Sequence, residues 1–142
     1  MIRCCQRGVT VSPASSSATI LCIEDEPSQL LLRKLLLESE GYAVITSESG
    51  QEALKLFQAH PVDLVILDYW MSGLNGVSVA REMKRLKFDI PIIIVSAYQS
   101  LPGEVIGIAD AWLRKAETKT ADLLHEVATL LKRQRAKSAS CE

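Results

Sequence analysis

Two apolar runs limit what this chain can fold into: Leu64-Val65-Ile66-Leu67 and Ile92-Ile93-Ile94-Val95. Neither alternates with polar residues, so neither suits a strand with one wet face. Unbroken runs of this length describe strands buried on both faces. Such strands belong to parallel sheets whose connecting helices lie above and below. Each run ends on one polar residue, Asp68 in the first and Ser96 in the second. In open parallel sheets the edge where strands surface is where ligands bind, which makes Asp68 the candidate reactive residue.

The rest of the chain repeats strand and helix in turn. Thr19-Ile20-Leu21-Cys22-Ile23 is a short buried strand that breaks into Glu24-Asp25-Glu26. Pro27 suits the first turn of a helix, where its missing N–H costs nothing. Leu31, Leu32, Leu35 and Leu36 follow at helical spacing up to Gly41, a helix stop. Tyr42 to Thr46 is a second strand. Ser49 with Glu52 three residues on has the form of a capping box, opening a helix through Ala53, Leu56 and Phe57 that Pro61 closes. Gly76 to Leu86 is a helix with Val77, Ala80, Met83 and Lys84 in its periodic pattern.

Residues 101–108 form a short segment that Gly103 and Gly107 weaken as a helix. Residues 109–114 are a fifth strand, and a last helix carries Leu123, Val127, Leu130 and Leu131 on one face to about Arg135. Five strands alternating with about five helices make a doubly wound α/β domain with right-handed crossovers over residues 19–135. Residues 1–18, which include Ser12-Pro13-Ala14-Ser15-Ser16-Ser17, are expected as a flexible tail, and 136–142 as a second.

At 142 residues the chain amounts to about one domain. A net charge of −1 and a pI near 6.1 make no case for nucleic acid or membrane as partner. No apolar run approaches the roughly 20 residues of a membrane span. Lys132, Arg133, Arg135 and Lys137 read as favourable charge at the end of the last helix. Cys4, Cys5, Cys22 and Cys141 show neither a disulfide framework nor a zinc spacing. No apolar segment follows Arg3 and Arg7 to make a signal peptide, so a cytoplasmic location with reduced thiols is expected. His60 and His125 are expected at the surface.

In a parallel sheet every strand ends at the same edge. Glu24 and Asp25, Asp68, Ser96 and Lys115 are therefore expected to gather there. Two carboxylates about 4 Å apart repel by roughly 4 kcal/mol at an effective dielectric of 20, so three acids together call for a cation. An all-oxygen cluster with room for water fits Mg²⁺ better than Zn²⁺. A carboxylate beside Mg²⁺ and a lysine is chemically suited to attack phosphorus, and the Ser96 hydroxyl can donate to the phosphoryl group once formed.

Over residues 19–135 these features resemble the receiver domains of bacterial two-component response regulators. The resemblance rests on Glu24-Asp25-Glu26-Pro27, on Asp68 with Met71, Gly73, Asn75 and Gly76, on Ser96-Ala97, and on Lys115. It implies a flavodoxin-like sheet of order 2-1-3-4-5 with helices on both faces. It also implies that Asp68 accepts a phosphoryl group from a sensor histidine kinase or histidine phosphotransfer protein. By the same resemblance Asp25 ligates Mg²⁺ directly, Glu24 through water, and Trp70 through its backbone carbonyl. Ser96 and Lys115 serve the phosphoryl group, and Ser96 and Trp112 act as switch residues. The expected output is a contact with a downstream protein, in a stand-alone receiver with no DNA-binding domain.

The chain departs from that family in three places. Ala116 stands where a cis-linked proline normally follows the lysine. A cis bond without proline costs about 3–4 kcal/mol, so a trans bond and a rearranged loop are expected. Lys115 follows Ser96 by only 19 residues, which predicts a shortened fourth helix. Ser72 replaces a common proline. The first two departures keep a second reading open, that of a pseudo-receiver that binds a partner without phosphorylation. An aspartate-nucleophile phosphatase is disfavoured because Trp70 holds the position of the required second acid.

Overall fold

The computed structural model describes residues 18–71, 74–97, 107–115 and 119–140. The two apolar runs lie side by side inside one sheet. Leu64–Asp68 (β3) pairs with Ile92–Ser96 (β6), and every residue of both is buried. Thr19–Ile23 (β1), Ala43–Ser47 (β2) and Ala111–Arg114 (β7) complete five parallel strands in the order β2-β1-β3-β6-β7. Counted without the short hairpin described below, this is the expected 2-1-3-4-5. The order reverses between β1 and β3, and that reversal opens the crevice in which doubly wound folds bind ligands.

Among the described residues four helices cover the sheet: Pro27–Ser39 (α1), Gly50–Ala59 (α2), Gly76–Leu86 (α3) and Thr120–Ser140 (α4). Strand alternation splits the core in two. Leu21, Ile23, Val65, Leu67, Ile92 and Ile94 face α2 and α3, while Ile20, Cys22, Leu64, Ile66, Ile93 and Val95 face α1 and α4. Full burial of a Val, Leu or Ile side chain stabilises by roughly 1.5–3 kcal/mol, so β3, buried from end to end, is a rigid base for Asp68. The expected face of α4 is the observed one, with Leu123, Val127, Leu130 and Leu131 all buried.

The structure corrects the sequence reading in several places. Leu31, Leu32 and Leu35 do not face the core: they are 55%, 66% and 54% exposed. The buried face of α1 is instead Leu30 and Leu37, two turns apart, with Arg33 between them. Six leucines within Leu30–Leu37 satisfy more than one helical stripe, and only contact with the sheet selects among them. The helix α4 runs to Ser140, past the expected end near Arg135, because Ala136, Lys137 and Ala139 favour helix and no Gly or Pro intervenes. The second strand sits one residue later than expected, and the fifth begins at Ala111.

A short antiparallel pair, Trp70–Met71 (β4) with Leu74–Asn75 (β5), follows β3 and was not anticipated. The capping box is half formed. Ser49 Oγ accepts the Glu52 N–H at 3.1 Å, but the Ser49 N–H donates to Ser47 Oγ. Ser72, Ala116, most of the expected fourth-helix segment and Cys4, Cys5 and Cys141 lie outside the described residues. Cys22 is fully buried, and burial pushes its thiol up to about 12, against a smaller opposing pull from Arg33.

Candidate functional site

β1 and β3 pair with Ile23 opposite Leu67, so their next residues, Glu24 and Asp68, emerge together at the carboxyl edge. Both are almost wholly buried. The strands reach this edge because their apolar runs stop there, and the first polar residue after each run is the one that surfaces. Backbone bonds fix the emergence points. The Glu24 N–H donates to the Ser47 carbonyl at 3.1 Å, and the Tyr69 N–H to the Val95 carbonyl at 2.9 Å. Asp25, half-buried, opens the turn into α1. Glu26 caps that helix by accepting the Ser28 N–H, and Pro27 occupies its first turn.

Glu24, Asp25 and Asp68 each offer a carboxylate oxygen within 4.8 Å of the other two, a group able to hold a metal ion. Lys115 closes it: its Nζ donates to Asp68 Oδ2 at 3.0 Å and to Glu24 Oε1 at 3.5 Å. Lys115 is set in place by its own backbone, whose N–H donates to the Ser96 carbonyl at 2.7 Å and continues the β6–β7 pairing. Glu24 Oε2 accepts the Glu26 N–H at 3.3 Å.

The protonation behaviour follows from crowding. Burial and then the Asp68 charge push the Glu24 carboxyl above its ordinary 4.5, and Lys115 and Arg33 only partly offset them. Burial pulls Lys115 down, but the hydrogen bond to Asp68 and the charges of Asp68 and Glu24 outweigh it and hold the ammonium above its usual range. A carboxyl raised in the folded state contributes stability that is complete below its ordinary pKa and is lost as pH rises through the raised value. Metal-free Glu24→Gln should therefore melt a few degrees above the parent at pH 7.5. In melts followed by circular dichroism, that margin should shrink as pH falls toward 4.5. A margin that widened on acidification would contradict the burial argument.

Of the residues expected at this edge, Glu24, Asp25, Asp68 and Lys115 come together. Ser96 is fully buried at the end of β6 and contributes its carbonyl to Lys115. Trp70 stands in β4, two residues past Asp68. Trp112 is not part of the group. Ala111 and Leu113 pack on the α1/α4 side of β7, so Trp112 faces the other side, 37% exposed, with the Arg114 guanidinium 5.9 Å from its ring centre. His60 and His125 are exposed, as expected.

Sequence reading missed Arg33, whose guanidinium lies 3.7 Å from Glu24. The available signal was its place between Leu30 and Leu37, at i+3 and i−4, on a stripe that the leucine-rich run concealed.

Residues 20–130 match the response regulator receiver domain family. Among curated relatives, the transcriptional regulatory protein GlrR of Escherichia coli is 40% identical over 88 residues, 62% of this chain and 20% of its own length. The alkaline phosphatase synthesis transcriptional regulatory protein PhoP of Bacillus subtilis is 34% identical over 99 residues, 68% of this chain and 41% of its own. The chain thus spans less than half the length of these relatives. Among solved structures, a response regulator receiver domain protein from Clostridium thermocellum superposes with a TM-score of 0.76 at 31% identity, covering 84% of this chain and 98% of that one. The response regulator TrrA of Thermotoga maritima, in complex with Mg²⁺-BeF, gives 0.73 at 37% identity, covering 80% and 98%.

Proposed function

This chain belongs to the response regulator receiver domain family, and from that premise we propose that it is a phosphoacceptor signalling domain. Asp68 takes a phosphoryl group from a histidine kinase or histidine phosphotransfer protein, and the transfer switches a surface that contacts a downstream protein. One observation carries this reading: Asp68, buried at the end of β3, shares Lys115 with Glu24 inside a group of three carboxylates.

The donor set is all oxygen and crowded with negative charge, which fits a hard divalent cation such as Mg²⁺. The Thermotoga relative's structure contains Mg²⁺ with BeF, in keeping with this. Asp25 and Asp68 would hold the ion, with Glu24 acting through water and Trp70 through its carbonyl. When bound, Mg²⁺ neutralises the incoming phosphoryl oxygens and the charge on the carboxylates.

The remaining steps belong to the chain's own residues. A carboxylate oxygen of Asp68 bonds to phosphorus as the phosphorus–nitrogen bond of the donor histidine breaks. Lys115 moves its hydrogen bond from Asp68 Oδ2 to a phosphoryl oxygen, keeping a charge-assisted bond throughout. The Ser96 hydroxyl donates to the new group. The product carries a near-dianion where one carboxylate stood, which biases the strand-end loops and helix faces between two arrangements. The role is signalling rather than substrate turnover.

Incubation with Mg²⁺ and acetyl phosphate, read by intact mass, tests this. One phosphoryl adduct should form, and chelation of Mg²⁺ should prevent it. No adduct, under conditions that label an established receiver domain, would instead favour a phosphorylation-independent interaction module.

A further inference from the structure

Arg33 takes no part in the phosphoacceptor chemistry of Asp68, Lys115 and the acidic cluster. Arg33 projects from the buried face of α1, and its side chain is 10% exposed. Its Nη2 lies 3.7 Å from Glu24 Oε1, the same oxygen that Lys115 Nζ meets at 3.5 Å. At that distance the pairing is Coulombic rather than a hydrogen bond. Its Nη1 is buried with no hydrogen-bond partner among the described residues.

A permanently charged guanidinium with an unpaired buried N–H is a poor filler for a helix–sheet interface. It gains little as a structural tie to Glu24, since that oxygen is already held by Lys115. What it does supply is charge. Together with Lys115 it offsets part of the negative charge that the three carboxylates bring together. A divalent ion approaching the cluster is attracted to the remainder, and it must draw Glu24 away from Arg33 and Lys115 to engage it.

We propose that Arg33 is a resident counter-cation of the acidic cluster, a positioning residue that competes with the divalent metal for Glu24 and keeps metal affinity low enough for ready exchange. This rests on the reading of Glu24, Asp25 and Asp68 as a Mg²⁺ site. It also accounts for the unpaired Nη1, because a guanidinium held by charge alone need not satisfy every donor.

Calorimetric titration of Mg²⁺ into the full chain tests the idea. Arg33→Met, which keeps the length and apolar stem, should bind Mg²⁺ at least about fivefold tighter than the parent, and Arg33→Gln should do the same. The gain should shrink as ionic strength rises. Arg33→Lys should restore the parental affinity to within about twofold. A purely structural role predicts none of these charge-dependent changes. The proposal is overturned if the uncharged variants, folded by circular dichroism, bind Mg²⁺ no tighter than the parent while Asp25→Asn abolishes binding. If the parent shows no binding, or Asp25→Asn binds as well as the parent, the Mg²⁺ reading itself fails and takes this proposal with it.

Discussion

Asp68→Asn should gain no phosphoryl mass from acetyl phosphate and Mg²⁺, yet should keep the parental circular dichroism spectrum and lie within about 1 kcal/mol of parental stability. The amide matches the carboxylate in shape but has no anionic oxygen to bond to phosphorus. The fold should survive because the strand that carries Asp68 is held by Leu64, Val65, Ile66 and Leu67, all fully buried. Lys115 would exchange its carboxylate partner at 3.0 Å for a neutral amide and keep Glu24 at 3.5 Å. Two electrostatic effects nearly offset each other: a weakened ion pair, and relief from crowding among three carboxylates. Residual labelling mapped to Asp25 or Glu24 would sink the assignment of the acceptor. Loss of labelling together with loss of fold would show that Asp68 holds the sheet edge together.

The sequence was most informative where one physical constraint acted alone. The runs ending in Asp68 and Ser96 admit no wet face, so a parallel sheet followed from them, and the sheet brought Glu24, Asp25, Asp68 and Lys115 to one edge. Their convergence could be read because strand ends need no side-chain detail to be located.

It was least informative where several solutions satisfied the same pattern. Along Leu30–Leu37, leucines fit more than one stripe, and of the four picked out by spacing only Leu36 packs against the core. Arg33 went unnoticed because its stripe, shared with Leu30 and Leu37, lies inside that leucine-rich run. The β4–β5 pair is too short to leave a periodic signature. The end of α4 was set too early because polar composition was taken for a tail, although Ala136, Lys137 and Ala139 are good helix formers. Each miss is a case in which tertiary contact or intrinsic propensity outweighed hydrophobic patterning.

Gly76→Ala should be clearly destabilising. In an exposed helix, replacing Gly by Ala stabilises by about 1 kcal/mol, so the naive expectation has the opposite sign. Gly76 begins α3 directly beneath the end of β3, and its N–H donates to the Tyr69 carbonyl at 2.6 Å. A methyl group there would fall inside van der Waals contact with the backbone carbonyl oxygen of Asp68 itself. It would also lie 3.1 Å from the Tyr69 carbonyl oxygen and 3.2 Å from Leu67 Cδ1. Two of these three neighbours are backbone atoms of the strand end and cannot rotate away. Either α3 backs off and loses the bond to Tyr69, or β3 shifts and carries Asp68 with it.

Overpacking of this kind costs about 1–3 kcal/mol. Urea denaturation should accordingly show Gly76→Ala less stable by about 2 kcal/mol, with a melting point several degrees lower. The second readout separates the two ways of yielding. If β3 moves, the initial rate of labelling by acetyl phosphate falls in the fraction that remains folded. If α3 alone backs off, stability drops while the rate holds. A variant as stable as the parent would mean that the start of α3 relaxes freely and that close approach to Asp68 is not what requires glycine.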